Sequence, residues 1–322
     1  MITLYELHWS HYCEKIRWAL DYKKLAWKKV NINAFTKREI KKFSRVGQRH
    51  LVPLIEDSET QTVISDSSPI LRYLEETYPE SPALFPDPVN ESDAMYQYLI
   101  ELDSTLGVVA RKLGYTQIIL ENPGILSQLF LSDIWKGFFN LPGLRKIAGM
   151  CLGMLLIKRF GFELNESRYL YEALENDLLR LAEKRAHQKY WLNDRFSAVD
   201  MSLAVYLRPL LIVPFFREHP GLQGLFEWQQ MLFREHHGDE KLLYEVLIEN
   251  HRQRRAPVRR KIRDPMPSAF MKTLAESVEK NNKAFNDHES VWTRRIWRVP
   301  YYYFFKIRAN KVRQREASAG VR

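Results

Sequence analysis

Ser10 and Cys13 are the first residues in the chain whose types and spacing suit thiol chemistry. They follow residues 2–7, whose alternation predicts a half-buried strand, and they fall at the start of residues 11–22, whose apolar spacing predicts a helix with Trp18 on one flank. Free N–H groups and the helix dipole favour negative charge at a helix N-terminus. A serine hydroxyl there can donate to sulfur, and each unit by which a thiol pKa falls is worth about 1.4 kcal/mol in favour of the thiolate. We therefore predict that Ser10 stabilises a thiolate as a hydrogen-bond donor and does not act as a base.

Val52 and Pro53 form the second candidate element. A proline that enters a strand has no N–H to donate. If the bond before it is cis, the N–H and C=O of Val52 can turn outward. Val52 would then pair through its backbone with an extended peptide, as in strand addition.

Asp66 and Ser67 form the third element, at the start of a predicted helix over residues 67–77. The first backbone N–H groups of this helix and the Ser67 hydroxyl can bind a carboxylate, and Asp66 can bind an ammonium group. A ligand with a thiol, an extended peptide backbone and an α-amino acid head would satisfy all three elements. Glutathione has these parts, so the spacing predicts it as a co-substrate.

These elements need an α/β unit to position them. The predicted order is βαβ, then α, then ββα, with strands at 2–7, 27–32, 51–55 and 62–64 and helices at 11–22, 36–43 and 67–77. Prolines at 82, 86 and 88 mark a linker. Beyond it the periodicity is helical, and the predicted helices are 91–112, 123–139, 144–160, 166–186, 199–210 and 222–234. The predicted domains are 1–80 (α/β), 81–91 (linker), 92–250 (all-helical) and 251–322 (basic extension).

Composition narrows the class of protein. The chain is 45% hydrophobic and 27% charged, near the globular average, so a sizeable core is expected. Two cysteines cannot form a disulfide framework, which favours a reducing compartment such as the cytosol. We see no secretory signal, no membrane-spanning stretch and no metal-ligand spacing among the histidines and cysteines. The very apolar segment 130–160 is interpreted as core and substrate-pocket wall, with membrane contact as the alternative.

The positive charge is concentrated at the C-terminus. The whole chain has a net charge of +10, but residues 252–322 contain 19 basic and 6 acidic residues, so the rest of the chain is slightly acidic. Aromatic residues cluster at 292–305, and such side chains are costly to leave in water. For this tail we rank packing onto the helical domain first, a membrane surface second and nucleic acid third.

The sequence around the three elements resembles the cytosolic glutathione S-transferases. The resemblance is carried by SHYCEKIRWAL at 10–20, HLVPLI at 50–55, Asp66 followed by SSPILRYLEETYP at 67–79 and, more thinly, WLNDRFSAVD at 191–200. In the last of these, Ser197 and Asp200 form a Ser-x-x-Asp capping pattern. The resemblance implies a thioredoxin-like α/β domain followed by an all-helical bundle, a homodimer, a hydrophobic substrate in the helical domain, and no cofactor beyond glutathione as co-substrate.

The resemblance also implies a role for Ser10. Ser10 falls on the catalytic position of the Ser- and Cys-type classes, whereas a plain helix N-cap is the alternative. Cys13 is an accessory candidate, but a serine followed by a cysteine inverts the Cys-first pattern of thiol-transferring relatives. Thiolate stabilisation is therefore favoured over thiol exchange. Tyr5 is the alternative catalytic residue, of the Tyr-type classes, although packing in a strand suits it better.

Three further positions correspond to glutathione contacts. Val52 with Pro53 matches the cis-proline element that holds the cysteine backbone, which favours the cis form. Asp66 with Ser67 matches the acidic-Ser pair that binds the γ-glutamyl group. His50 matches a contact to the glycine end seen in some classes, and a solvated loop position is its alternative. His8 and Trp9 either line the second-substrate pocket or shape the turn.

Two functions are consistent with these residues. The first is a glutathione transferase that adds a thiolate, stabilised by Ser10, to a hydrophobic electrophile. The second is a non-catalytic, glutathione-transferase-like binding protein in which the inserted sequence within 115–160 and the tail carry the function. The expected location is cytoplasmic, and a membrane-peripheral location through the tail is the alternative.

Overall fold

Four short strands near the N-terminus pair into one mixed sheet. In this computed structural model they are β1 (Ile2–Glu6), β2 (Trp27–Asn31), β3 (Leu54–Asp57) and β4 (Thr62–Ser65). Their order is β2-β1-β3-β4, with β1 parallel to β2 and β3 antiparallel to β1 and β4. The structure describes residues 1–46, 51–85, 89–131, 142–160, 164–191, 195–238 and 240–254.

Two helices complete this α/β part. Helix α1 (His11–Tyr22) connects the parallel strands β1 and β2, and α2 (Ser67–Thr77) follows β4. All five residues of β1 are buried, as expected for a central strand. The edge strand β2 instead exposes Lys28 and Lys29, charges that discourage pairing with another chain. The segment predicted as a helix at 36–43 forms a 3₁₀ helix, Arg38–Val46.

The rest of the described chain is helical. The helices are α3 (Val89–Ser104), α4 (Leu106–Glu121), α5 (Gly124–Leu131), α6 (Pro142–Phe160), α7 (Leu164–Arg185), α8 (Ala198–Leu207), α9 (Pro214–Arg217), α10 (Gln223–His236) and α11 (Leu243–Arg254). Every residue of α8 is buried, and α8 packs against α1, α3 and α10. The predicted capping pattern is confirmed, because the Ser197 and Asp200 side chains each bond the other's backbone N–H at the start of α8. The predicted fold class, a thioredoxin-like domain followed by a helical domain, is confirmed.

Two local predictions are wrong, each because of tertiary contacts. The helix predicted over 91–112 breaks at Thr105, where the Tyr12 hydroxyl donates to the Asp103 carbonyl and its ring lies against Gly107. A Cβ at Gly107 would be 2.6 Å from the Tyr12 hydroxyl, so the close approach of Tyr12 to α4 needs a residue without a side chain there. Trp18, expected on a flank of α1, is fully buried, because the helical domain covers that face.

Helix α11 is absent from the sequence prediction. The charge run beginning at Arg252 suggests that the domain has already ended there. In the structure Arg252 lies on α11 and pairs with Glu121 of α4 at 3.0 Å. The start of that charge run is therefore part of the helical domain. In the described residues no helix is long and apolar enough to cross a membrane. Residues 255–322, and with them most of the basic extension, lie outside the described residues, so the predicted roles of the tail stay predictions, as do the exact domain boundaries.

Candidate functional site

The sheet topology places the three predicted elements at one edge. Because β1 and β3 are antiparallel, the end of β1 lies beside the start of β3, with Tyr5 opposite Leu54. The end of β4 lies there too, since Leu54 pairs with Ser65. Ser10 follows β1, Val52-Pro53 precedes β3, and Asp66 follows β4. The backbone N–H of Asp66 donates to the Pro53 carbonyl at 2.9 Å, and the Val52-Pro53 bond is cis, as predicted.

Ser10 is the N-cap residue of α1, yet its side chain makes no capping hydrogen bond. Its backbone is extended (φ −81°, ψ 123°), its N–H donates to the Leu7 carbonyl at 2.8 Å, and its carbonyl accepts from Glu14 at 2.9 Å. The hydroxyl is half-buried at the positive end of the helix. A plain capping role is therefore the weaker of the two interpretations of Ser10.

Cys13 lies one turn further along α1 and is fully buried. Burial, reinforced by the charge of Glu6, raises the pKa of the Cys13 thiol to about 12, although hydrogen bonds with Leu7 and Ser10 oppose the rise. A thiol with so high a pKa holds almost no thiolate at neutral pH. The geometry thus argues against thiol exchange by Cys13.

Ser10 opens into a cleft between the two domains. The cavity volume of the cleft is about 40 Å³, so the cleft must widen before it can admit a molecule much larger than water. Trp9, Ser10 and His11 form one wall, and the other walls are Arg111, Gly114, Tyr115, Ile118, Leu129, Pro209, Ile212 and Tyr244. This mixture of apolar side chains with a few polar groups is typical of small-molecule sites. Trp9 is thereby placed in the cleft wall, and the His8 ring lies edge-on against it at 4.8 Å.

His11 is the buried histidine of this wall. Burial, helped by the positive charge of Arg111, lowers the pKa of His11 to about 3. The imidazole is therefore neutral at neutral pH and adds no positive charge to the cleft.

The low pKa of His11 predicts a specific loss of stability in mild acid. His11 gains its proton near pH 6.5 in the unfolded chain and near pH 3 in the folded chain. The free energy of unfolding of the unchanged protein should therefore be highest above pH 6.5 and fall as the pH falls. Between about pH 6.5 and pH 5 the unchanged protein should lose about 1.5 kcal/mol more of this free energy than His11→Phe loses. Urea denaturation at each pH measures this, with His187→Gln at an exposed histidine as the control. Parallel pH curves for His11→Phe and the unchanged protein would contradict it.

Asp66 and Ser67 are arranged differently from the prediction. Asp66 has a positive φ of 81° with ψ 143°, a strained conformation for a residue with a side chain. Its carboxylate accepts from the Ser67 N–H at 2.7 Å. The Ser67 hydroxyl donates to Asp103 Oδ2 at 2.9 Å, and Ser67 is fully buried. Both Ser67 donors that were predicted to bind a γ-glutamyl carboxylate thus bind carboxylates of the protein itself.

Asp103, on α3, is the centre of a buried polar cluster. Its carboxylate accepts from the Lys15 ammonium at 2.8 Å, from Ser68 at 2.8 Å, and from the Tyr206 hydroxyl. Burial alone would raise the pKa of Asp103, but Lys15 and these hydroxyl donors hold it below its ordinary value. The cluster joins α1 and α2 of the first domain to α3 and α8 of the second.

Tyr5 faces away from the cluster and the cleft. Its hydroxyl donates to Glu56 Oε2 at 2.7 Å, and its ring packs edge-on against Phe43 at 5.3 Å. Burial raises the pKa of the Tyr5 phenol. These contacts support packing in the strand over catalysis.

Comparison with known proteins identifies the family of the N-terminal domain. Residues 4–82 match the model of the glutathione S-transferase N-terminal domain. This α/β domain belongs to that family. No curated protein gives a significant sequence match.

Three solved structures are similar to this chain at low sequence identity. The chain is similar to the β-etherase LigF from Sphingobium sp. strain SYK-6, with 17% identity and a TM-score of 0.54 over 77% of this chain and 99% of that one. It is also similar to a glutathione S-transferase from Rhodospirillum rubrum F11, with 22% identity and a TM-score of 0.44 over 72% of this chain and 88% of that one. A third is CsGST63524 of Ceriporiopsis subvermispora, in complex with glutathione, with 17% identity and a TM-score of 0.46 over 74% of this chain and 99% of that one.

Sequence analysis located part of the candidate site. Ser10, Val52-Pro53 and Asp66-Ser67 lie at one sheet edge, as expected, whereas His50 lies outside the described residues. Asp103 and Lys15 were missed. No pattern pointed to them, because they lie 88 residues apart in different domains and only the fold brings them together.

Proposed function

We propose that the protein is a glutathione transferase that joins the glutathione sulfur to a hydrophobic electrophile. The observation that carries the proposal is Ser10, whose hydroxyl is not used as a helix cap and lies at the wall of the interdomain cleft. Such a hydroxyl, together with the N-terminus of α1, would hold the co-substrate sulfur as a thiolate.

The chemistry in this proposal needs few groups. The thiol proton of glutathione leaves to solvent, and the Ser10 hydroxyl donates a hydrogen bond to the resulting sulfur anion. The sulfur then attacks the electrophilic carbon, a C–S bond forms, and a leaving group such as chloride departs with its electron pair. Trp9, Ile118 and Leu129 would hold the apolar body of the electrophile, and proximity supplies much of the rate gain.

The strained backbone at Asp66 supports a ligand contact at the second end of the site. Unfavourable φ/ψ values outside glycine cost about 1–3 kcal/mol and cluster at ligand-binding positions. Asp66 is exposed, which supports its carboxylate as the proposed partner of the α-ammonium group of glutathione. His50, Val52 and Pro53 remain the proposed contacts to the rest of the peptide.

One observation favours a second candidate function, a glutathione-transferase-like binding protein without catalysis. The Ser67 N–H and hydroxyl are both bound to carboxylates of the protein, and Ser67 has no exposed surface. A γ-glutamyl carboxylate would have to displace the Asp103 carboxylate from the Ser67 hydroxyl, or bind without a hydrogen bond from that hydroxyl. If this second candidate is right, glutathione should bind weakly or not at all.

Two measurements on the full chain separate the candidates. Calorimetric titration with glutathione tests the co-substrate site, and turnover of chlorodinitrobenzene with glutathione tests conjugation. Binding with turnover supports the transferase. Binding without turnover of this or other aryl and alkenyl electrophiles, or no binding, supports the second candidate.

A further inference from the structure

Helix α6 has an apolar face that the other described helices leave exposed. Its inner face packs against α4 and α5, and a Cβ at Gly149 would collide with the Pro123 backbone, so the contact is close. On the opposite face Leu155 is 58% exposed, Cys151 is also exposed, and Ile147 and Met154 are half-exposed. These four positions follow helical spacing, so they form one continuous stripe.

The charged residues of helix α6 itself have a single sign. From Pro142 to Phe160 the sequence has four basic residues and no acidic residue. Lys146 is exposed near the start of α6, and positions 158 and 159 at its end are Lys and Arg. An apolar stripe between basic ends is the pattern of helices that lie in the headgroup region of anionic membranes.

We propose that the outward face of α6 binds the surface of a membrane that contains anionic lipid. The helix lies parallel to the membrane plane: its inner face stays packed on α4 and α5 while Ile147, Met154 and Leu155 enter the headgroup boundary. A spanning orientation is not part of the proposal, because no described helix is long and apolar enough. Charge complementarity selects lipid over a second copy of the chain, since two such faces would repel each other.

The two cysteines allow a direct test on the full chain. Cys151 is exposed on the proposed surface, whereas Cys13 is fully buried, so a thiol-reactive, environment-sensitive fluorophore labels position 151. Vesicles of phosphatidylcholine with phosphatidylglycerol should bind the labelled protein and shift its emission to shorter wavelength. Phosphatidylcholine alone should bind at least tenfold more weakly, and high salt should weaken binding because it screens the headgroup charge.

Substitutions in the unlabelled chain complete the test by vesicle flotation. Leu155→Glu should weaken binding at least tenfold, while Ile100→Glu, at another exposed apolar residue (41% exposed), should bind as the unchanged protein does. Thermal unfolding checks that both variants fold. The proposal is overturned if the vesicles do not bind, or if they bind without an emission shift, which would assign binding to another surface such as the basic tail. Emission that shifts with protein concentration in the absence of lipid would also overturn it, because a second copy would then cover the face.

Discussion

Replacement of Ser10 by alanine is expected to lower kcat/KM for glutathione conjugation about 100-fold, the usual cost of removing one donor to a developing or stabilised anion. The same substitution is also expected to shift the pH dependence of the conjugation rate. Without the hydroxyl donor the pKa of the bound thiol rises, so the thiolate forms at higher pH and the ascending limb of the rate profile moves with it. Steady-state rates from mildly acidic to alkaline pH, with saturating glutathione, measure both effects.

The structure provides a way to separate this role from simple helix capping. Ser10→Ala removes no capping hydrogen bond and loses only the hydrogen bond with the Cys13 thiol, a weak partner, so it should change the free energy of unfolding by less than about 1 kcal/mol. Ser104→Ala is a matched control, since the Ser104 hydroxyl bonds the Glu101 carbonyl at an exposed helix end and lies outside the cleft. Equal kcat/KM values for Ser10→Ala and the unchanged protein would remove Ser10 from the mechanism.

The largest expected effect on stability comes from Asp103. Asp103→Asn leaves the fully buried Lys15 ammonium without its counter-charge, and breaking a buried ion pair in this way costs about 3–5 kcal/mol. Asp93→Asn is the control, because Asp93 lies on the same helix and pairs with Arg72 at 3.0 Å in an exposed position. Exposed pairs contribute about 0–1 kcal/mol, so this control should unfold close to the unchanged protein in urea.

A double variant tests the physical cause. Lys15→Met combined with Asp103→Leu removes both charges and should recover part of the loss, because apolar replacements of a buried pair are often tolerated. If Asp103→Asn and Asp93→Asn shift the urea midpoint equally, the buried cluster does not have the energetic role assigned to it. A failure of the double variant to recover any stability would point to the hydroxyl donors, Ser67, Ser68 and Tyr206, as the main contributors.

Local sequence predicted the elements whose signals are local. Strand β1, helix α1 and helix α2 were located closely, since alternation, helical periodicity and capping residues act within a few positions. The three site elements were also found from sequence because each lies at a boundary of such an element. Sequence reasoning missed three features that arise from contacts between the two domains, where α1 meets α3 and α8. They are the helix break at Thr105, the burial of Trp18 and the Asp103 cluster.

The cleft walls show the same limit. Trp9 and Ser10 adjoin a recognisable turn. Arg111 and Tyr115 lie on α4 and Tyr244 lies on α11. Nothing in the local sequence of these helices distinguishes a residue of the cleft wall from a residue of the core. Helix α11 contributes Tyr244 and was absent from the prediction. The class of molecule that the cleft would bind therefore could not be predicted from the residues around Ser10.

The buried cluster around Asp103 also restricts how the molecule can move. Opening the domains as a hinge would separate Lys15 from Asp103 and Glu14 from its buried partner Arg208, and would uncover Trp18. Such an opening exposes unpaired charge and a large aromatic surface at once, so it is far less favourable than local movement at the cleft mouth. For the proposed transferase we therefore expect an electrophile to enter and a product to leave by side-chain rearrangement around Trp9 and Phe130, which pack against each other at 5.1 Å.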